Sequence, residues 1–191
     1  MLTIITPCSR PENLSRMAQS IDFSKDVHWI IVHDTTKTKG RFTPSVSHPK
    51  ITELGHVSPQ GTCSGNSQRN VGLSRVGNGL VYYLDDDNII HDTFWTLFDR
   101  FDEDHFYTWD QFRGDEFANK PDGVLSGHEP RLRKIDTAQY IVPRYMCRPW
   151  QEDLYWADGI FIEQIYEKYK DKHVYIPVVA AFYNFLSRAT T

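Results

Sequence analysis

Cysteine is scarce in this 191-residue chain: Cys8, Cys63 and Cys147 are odd in number, far apart and in no metal-ligand spacing. That argues against a disulfide framework or a zinc site. Basic charge is not in excess either. Lys and Arg number 21 against 25 Asp and Glu, giving a formal net charge of -4 and a pI near 6.0. A nucleic-acid binder that works through a basic surface is therefore not expected, although local basic pockets for phosphates remain open. Long apolar runs are missing, and the opening Leu2-Thr3-Ile4-Ile5 is too short for a signal-peptide core and has no charged region before it. We expect no membrane span and a cytoplasmic location. No internal repeat, low-complexity tract or linker divides the chain, so residues 1–191 are expected to form a single domain.

What the chain has is an ordinary globular composition, 40% hydrophobic and 24% charged, and one unusual stretch. Leu80-Val81-Tyr82-Tyr83-Leu84 is an apolar, β-favouring run that ends in Asp85-Asp86-Asp87-Asn88. Carboxylates about 6 Å apart at an effective dielectric near 20 repel by roughly 3 kcal/mol per pair. A divalent cation with hard oxygen ligands would relieve that repulsion, and magnesium or manganese suits such ligands. A solvated acidic turn, screened by water, is the other reading of the same residues.

The remaining pattern alternates strands and helices. Leu2 to Thr6 reads as a buried strand leaving through the turn Pro7-Cys8-Ser9-Arg10-Pro11, with a helix after it on Leu14, Met17, Ala18 and Ile21, capped by Ser9. Trp29 to Val32 repeats the strand and ends in His33-Asp34. A loop over 35–49 and a short strand over 50–54 precede a connection over 55–65 and a helix from Asn66 that carries Arg69 near its start. A helix amino end plus an arginine can hold an anion. Later elements are a helix capped by Asp92, a strand over 105–109, a loop from Gln111 to Pro121, a strand over 138–142, a loop over 143–150, and a helix over 158–169. A mixed strand-like and aromatic stretch closes the chain. Such alternation predicts an α/β fold around a mostly parallel sheet, with ligands bound outside the carboxyl ends of the strands.

Gln68-Arg69-Asn70-Val71-Gly72-Leu73 followed by Val81 to Asn88 resembles the nucleotide-sugar half of GT-A-fold glycosyltransferases. The Gln-Arg-Asn helix and the Asp-Asp-Asp-Asn strand end are similar to those of animal glucuronosyltransferases. Length and several short motifs are similar to a glycosyltransferase domain encoded by chlorella viruses, which would place the protein in a host cytoplasm. The resemblance implies a Rossmann-like GT-A domain whose first hundred residues or so bind the nucleotide sugar and whose remainder binds the acceptor. It further implies a metal-dependent transfer of a hexosyl or deoxyhexosyl group from a UDP-sugar to a glycan hydroxyl, with manganese or magnesium as cofactor.

Residue by residue, the resemblance gives Thr6, Arg10 and Asp34 to the uracil pocket, Arg69 to the nucleotide or to bracing Asp85, Asp86 to the ribose, and Asp87 to the metal. Asp153 would be the general base, with Glu152 its rival; both also suit a helix amino end without any catalytic role. Asp136, Trp109 and Arg144 are expected near the acceptor, and core or surface packing accounts equally well for Trp109 and Arg144. Two other classes stay in view. A nucleotidyltransferase would call for a glycine-rich phosphate loop after the first strand, and residues 7–11 contain no glycine. A calcium-dependent carbohydrate module would leave the Gln-Arg-Asn helix unexplained, and residues 85–88 lack the alternating acids and glycine of an EF-hand loop.

Overall fold

The computed structural model of the chain describes residues 1–36, 46–63, 65–113 and 123–186. Within these, one mixed sheet gathers β1 (Leu2–Cys8), β2 (Val27–Asp34), β3 (Ile51–His56), β4 (Leu80–Tyr83), β5 (Ile89–Ile90), β6 (Phe106–Phe112), β8 (Tyr140–Pro143) and β9 (His173–Phe182) in the order β3-β2-β1-β4-β8-β6-β9-β5. The short β7 (Val124–Leu125) pairs with β6. Strands β1 to β4 are mutually parallel, β8 runs against both β4 and β6, and β9 is parallel to β6.

The sheet is covered on both faces, which is why its central strands are apolar at nearly every position rather than alternating. Ile4 is in register with Trp29 and Tyr82, and these three pack with α1 (Leu14–Gln19) through Leu14 and Met17 and with α3 (Asp92–Leu97) through Phe94. Ile5 is in register with Ile30 and Tyr83, and that row faces α2 (Asn66–Leu73) and α4 (Ala157–Lys168) through Leu73, Phe161, Ile162 and Ile165. Tyr82, Phe94 and Trp109 lie with ring centroids 5.3 to 5.6 Å apart. Burial of each such ring contributes on the order of 2–3 kcal/mol, and edge or offset contacts add about 1 kcal/mol per pair.

Helix α2 lies close enough to β1 that a Cβ at Gly72 would stand 2.5 Å from Ile5 Cγ2. Gly72→Ala should therefore destabilise the fold by about 1–3 kcal/mol through overpacking, against the ~1 kcal/mol that alanine normally adds to a helix. The midpoint of urea unfolding reads the sign directly.

Several boundaries differ from the sequence expectations. Strand β1 continues through Pro7 to Cys8; Pro7 is in register with Val32, and β4 pairs with β1 only as far as Ile5, so Pro7 sits where β1 has a neighbour on one side and a missing N–H is tolerated. Ser9 does not cap α1; a 3-10 turn over Pro11–Asn13 comes first, and Ser9 bonds to Asp86 instead. Helix α3 is capped by His91, whose side chain accepts from the Thr93 N–H at 3.1 Å, with Asp92 inside the first turn. Strand β6 extends to Phe112, and the expected loop over 111–121 then falls largely outside the described residues, as does most of the one over 35–49. Residues Thr137–Gln139 form a 3-10 turn with a capping box from Asp136 and Gln139 before β8 begins. Strand β9 passes straight through exposed Pro177, and the β6–β9 register slips there from Ile176 to Val179. A bulge is how a strand accommodates a residue without an N–H.

Candidate active site

Because β1, β4, β6 and β9 run the same way and β8 runs against them, one edge of the sheet collects four strand ends and one strand start. Arg10, Asp85, Asp86, Asp87, Arg113, Tyr183 and Asn184 arrive from the strand ends, and Asp136 and Thr137 from the lead into β8. The amino ends of α2 and α4 bring Arg69 and Asp158 to the same place. These residues surround a cleft of about 600 Å³, within the range that holds a nucleotide-sized ligand.

The three strand-end acids have separate partners. Asp86 is buried, and its Oδ2 accepts from Ser9 N–H (2.6 Å), Ser9 Oγ (3.1 Å) and Arg10 N–H (2.8 Å) while Oδ1 accepts from Arg10 Nε (2.9 Å) and Nη2 (2.5 Å). Five donors saturate the roughly four lone-pair sites of a carboxylate, so Asp86 fastens the β1 loop to the end of β4. Asp87 takes Arg10 Nη1 at 2.8 Å, and its backbone carbonyl accepts from Leu186 N–H. Asp85 pairs with Arg69 Nη2 and accepts from Thr137 Oγ1 at 3.2 Å. Arg69 is itself buried, donates to Asn66 Oδ1 and lies 4.7 Å over the Trp150 ring. Arginine rather than lysine suits this position, since its fork can bond two partners while its face rests on an aromatic ring.

Two more acids line the cleft. Asp136 pairs with Arg113 Nη2 at 3.1 Å; burial raises its carboxyl above the usual range, Arg113 works the other way, and Asp85 adds to the rise. Asp158, in the first turn of α4, makes no ion pair among the described residues. Burial and then the nearby Asp136 push its carboxyl from 3.8 to about 6, against the backbone N–H of Gly159 and the charge of Arg69. A carboxyl that titrates near neutrality in a cleft is suited to take up a proton.

Of the residues named from sequence, Arg10, Arg69, Asp85, Asp86, Asp87 and Asp136 meet in this cleft. The others stand elsewhere. Thr6 is fully buried inside β1 and accepts from Trp29 Nε1 at 2.9 Å. Asp34 ends β2 and turns its Oδ1 to Thr36, outside the cleft lining. Trp109 is fully buried and donates to the Ala138 carbonyl at 2.8 Å, as a core residue. Arg144 follows β8 at the opposite edge of the sheet, where its Nε donates to the Val76 carbonyl; the antiparallel direction of β8 carries it away. Asp153 is exposed in the turn before α4, and Glu152 accepts from Asn70 Nδ2 at 2.8 Å; neither lines the cleft. Polar and aromatic lining residues not anticipated from sequence include Ser9, Arg113, Arg133, Thr137, Tyr155, Trp156, Asp158, Tyr183 and Asn184.

Among the described residues, no three His, Cys, Asp or Glu side chains assemble into a preformed metal cage. Magnesium and manganese often take only one or two carboxylates and complete their shell with substrate phosphates and water. Asp87, with its carboxylate in the cleft lining, fits that kind of site.

In overall shape the chain is similar to S. aureus TarS 1–349 in complex with UDP, with a TM-score of 0.66 at 13% identity over 95% of this chain and 60% of that one. It is also similar to TarS 1–349 in complex with UDP-GlcNAc, at 0.61 and 12% over 95% and 58%, and to the longer TarS chain, at 0.62 and 12% over 95% and 36%. The fold is GT-A-like. At this identity the likeness concerns the fold alone, and the chain spans about three-fifths or less of the length of these TarS structures. No family model matches the chain, and no curated protein sequence matches it. No helix among the described residues is long and apolar enough to cross a membrane.

Proposed function

We propose that the protein is a glycosyltransferase that moves a hexosyl or deoxyhexosyl group from a UDP-sugar to a hydroxyl of a glycan acceptor. The observation that carries this reading is the cleft itself: at the carboxyl edge of a GT-A-like sheet, braced acids at the strand ends face an unpaired carboxyl that titrates near neutrality. TarS, of the same fold, has been captured with UDP and with UDP-GlcNAc.

Asp87 would hold a manganese or magnesium ion, which when bound would offset the negative charge of the diphosphate. Arg10, already fixed between Asp86 and Asp87, presents its guanidinium at the same strand ends. Arg69 keeps Asp85 in place, and the ribose and uracil lie over the β1 and β4 ends. Asp158 takes the proton from the acceptor hydroxyl as its oxygen attacks the anomeric carbon, and the bond to UDP breaks with both electrons leaving on the phosphate oxygen. A single displacement of this kind inverts the anomeric centre. Asp158 is preferred over Asp153 and Glu152 as the base, since it alone of the three lines the cleft.

Calorimetric titration with UDP, with and without manganese, tests the reading. Binding is expected in the presence of manganese, and Asp87→Ala should weaken that binding by about tenfold or more while the protein still unfolds cooperatively, at a somewhat lower midpoint. Absence of UDP binding in both conditions would remove the transferase reading; unchanged manganese dependence in Asp87→Ala would remove Asp87 from the metal.

A further inference from the structure

The lead into α4 carries an unusual surface. Leu154, Tyr155 and Trp156 are consecutive and exposed, with Tyr155 at 67% and Trp156 at 46%, and the two aromatic residues also line the cleft. Their rings stand edge to face, 5.0 Å apart at 89°, so they form a corner open to solvent and not a flat shelf. Arg133 lies against this corner, its guanidinium carbon 4.8 Å from the centre of the Trp156 ring. Of the arginines lining the cleft, Arg10, Arg69 and Arg113 pair with Asp86 and Asp87, Asp85, and Asp136. Arg133 has no carboxylate partner among the described residues.

The corner packs against the element that carries the proposed base. Arg133 has a φ of 65°, a left-handed conformation uncommon for a residue with a Cβ. A Cβ at Gly159 would stand 2.9 Å from Leu132 Cα and 3.3 Å from Arg133 N, so the 132–133 backbone lies directly on the first turn of α4. Asp158 is in that same turn. Tyr155, Trp156, Arg133 and Asp158 are thus one unit, carried by different elements from the Arg10 and Asp85 to Asp87 group at the ends of β1 and β4. Exposed aromatic rings at a cleft mouth stack on the apolar faces of pyranose rings, and an arginine fork matches a carboxylate or phosphate.

We propose that Tyr155, Trp156 and Arg133 form the acceptor subsite, and that it takes a sugar ring bearing an acidic substituent. The ring packs into the corner with Tyr155, and the carboxylate or phosphate on it pairs with Arg133. This rests on the transferase reading above, and it narrows the acceptor to an acidic glycan.

The test uses tryptophan fluorescence of the UDP-saturated protein. Trp156 is the most exposed of the five tryptophans, with Trp29, Trp109 and Trp150 buried and Trp95 partly buried, so a ligand in the corner changes the signal and Trp156→Phe removes most of that change. Methyl glucuronide and methyl glucoside 6-phosphate are expected to bind about tenfold more tightly than methyl glucoside, the acid of the two that binds better identifying carboxylate or phosphate as the partner. Arg133→Gly should abolish the preference; glycine adopts this φ without strain, so the fold is kept, and calorimetric UDP binding should be unchanged. Equal binding of acidic and neutral glycosides, or a preference that survives Arg133→Gly, would overturn the subsite while UDP binding left the transferase reading intact. Binding of the acidic glycoside to the UDP-free protein but not to the UDP-saturated protein would assign the corner to the donor and overturn it equally. Loss of UDP binding by the unmodified protein would instead count against the transferase reading itself.

Discussion

Asp158→Asn should lower transfer by about 10²- to 10⁴-fold, the usual contribution of a positioned general base, while leaving UDP affinity unchanged. The same change should make the protein more stable at neutral pH. Between about pH 4 and 6 the folded protein holds a proton on Asp158 that the unfolded chain has released, since its carboxyl is raised from 3.8 to about 6. Stability from this group is present below pH 4, falls as the pH rises through that window, and stays reduced above it. Asparagine carries no charge at any pH, so the variant should lack this slope. Partial solvent contact trims the expected gain above pH 6 to about 2 kcal/mol. Urea unfolding at pH 5 and pH 8 measures it, and the transfer rate of the unmodified protein should climb with pH through about 6. A variant that is slow and less stable would point to a structural role, and one that still transfers would return the base to Glu152, Asp153 or a mechanism without one.

The charge pattern of the cleft explains why Asp158 stands apart. Asp85, Asp86, Asp87 and Asp136 each have an arginine beside them, so their charges are compensated within the protein. Asp158 has no ion-pair partner among the described residues, and its carboxyl is exposed to the repulsion of Asp136 and Asp85. Paired acids position other groups. An unpaired one that is raised toward neutrality can exchange a proton at modest cost.

The sheet and its edge were legible because their signals are local. An apolar run ending in Asp85-Asp86-Asp87 fixes where charge meets the strand ends, and the 3.6-residue spacing in residues 158–169 fixes α4. Partners across the cleft were less so. Asp86 gives all its capacity to Ser9 and Arg10, more than seventy residues earlier, and no spacing rule reports such a pairing. Arg144 and Trp109 were placed near the acceptor by residue type, but the antiparallel turn of β8 sends one to the far edge and the alternation of β6 points the other into the core. Asp158 was visible only as a helix start; its chemistry comes from Asp136 and Asp85, brought close by strand order. Arg133 carries no sequence signal, since neither its left-handed backbone nor its closeness to Gly159 is written in any local spacing.

Asp86→Ala should cost the fold about 3–5 kcal/mol, because it leaves a partly buried guanidinium with one carboxylate fewer and orphans two backbone N–H groups. Ser9 N–H and Arg10 N–H both point at Asp86 Oδ2, and without it nothing in the β1 loop replaces that acceptor. Against a typical stability of about 5–15 kcal/mol, this is a large fraction, and the urea midpoint should drop accordingly. Asp87→Ala removes one Arg10 contact at 2.8 Å while the two bonds from the Arg10 guanidinium to Asp86 persist, so its cost should be about 1–2 kcal/mol. The two neighbours should therefore separate by function: Asp86 carries the architecture of the donor side, and Asp87 the manganese dependence of UDP binding. The double variant decides whether they act through one arginine. If Arg10 couples them, the combined loss should differ from the sum of the single losses by more than about 0.5 kcal/mol, since neighbouring residues that share a partner are not additive. Additive losses would show that the two acids do not act through one arginine, and an Asp86→Ala protein as stable as the parent would show that the loop after β1 is held by its own packing.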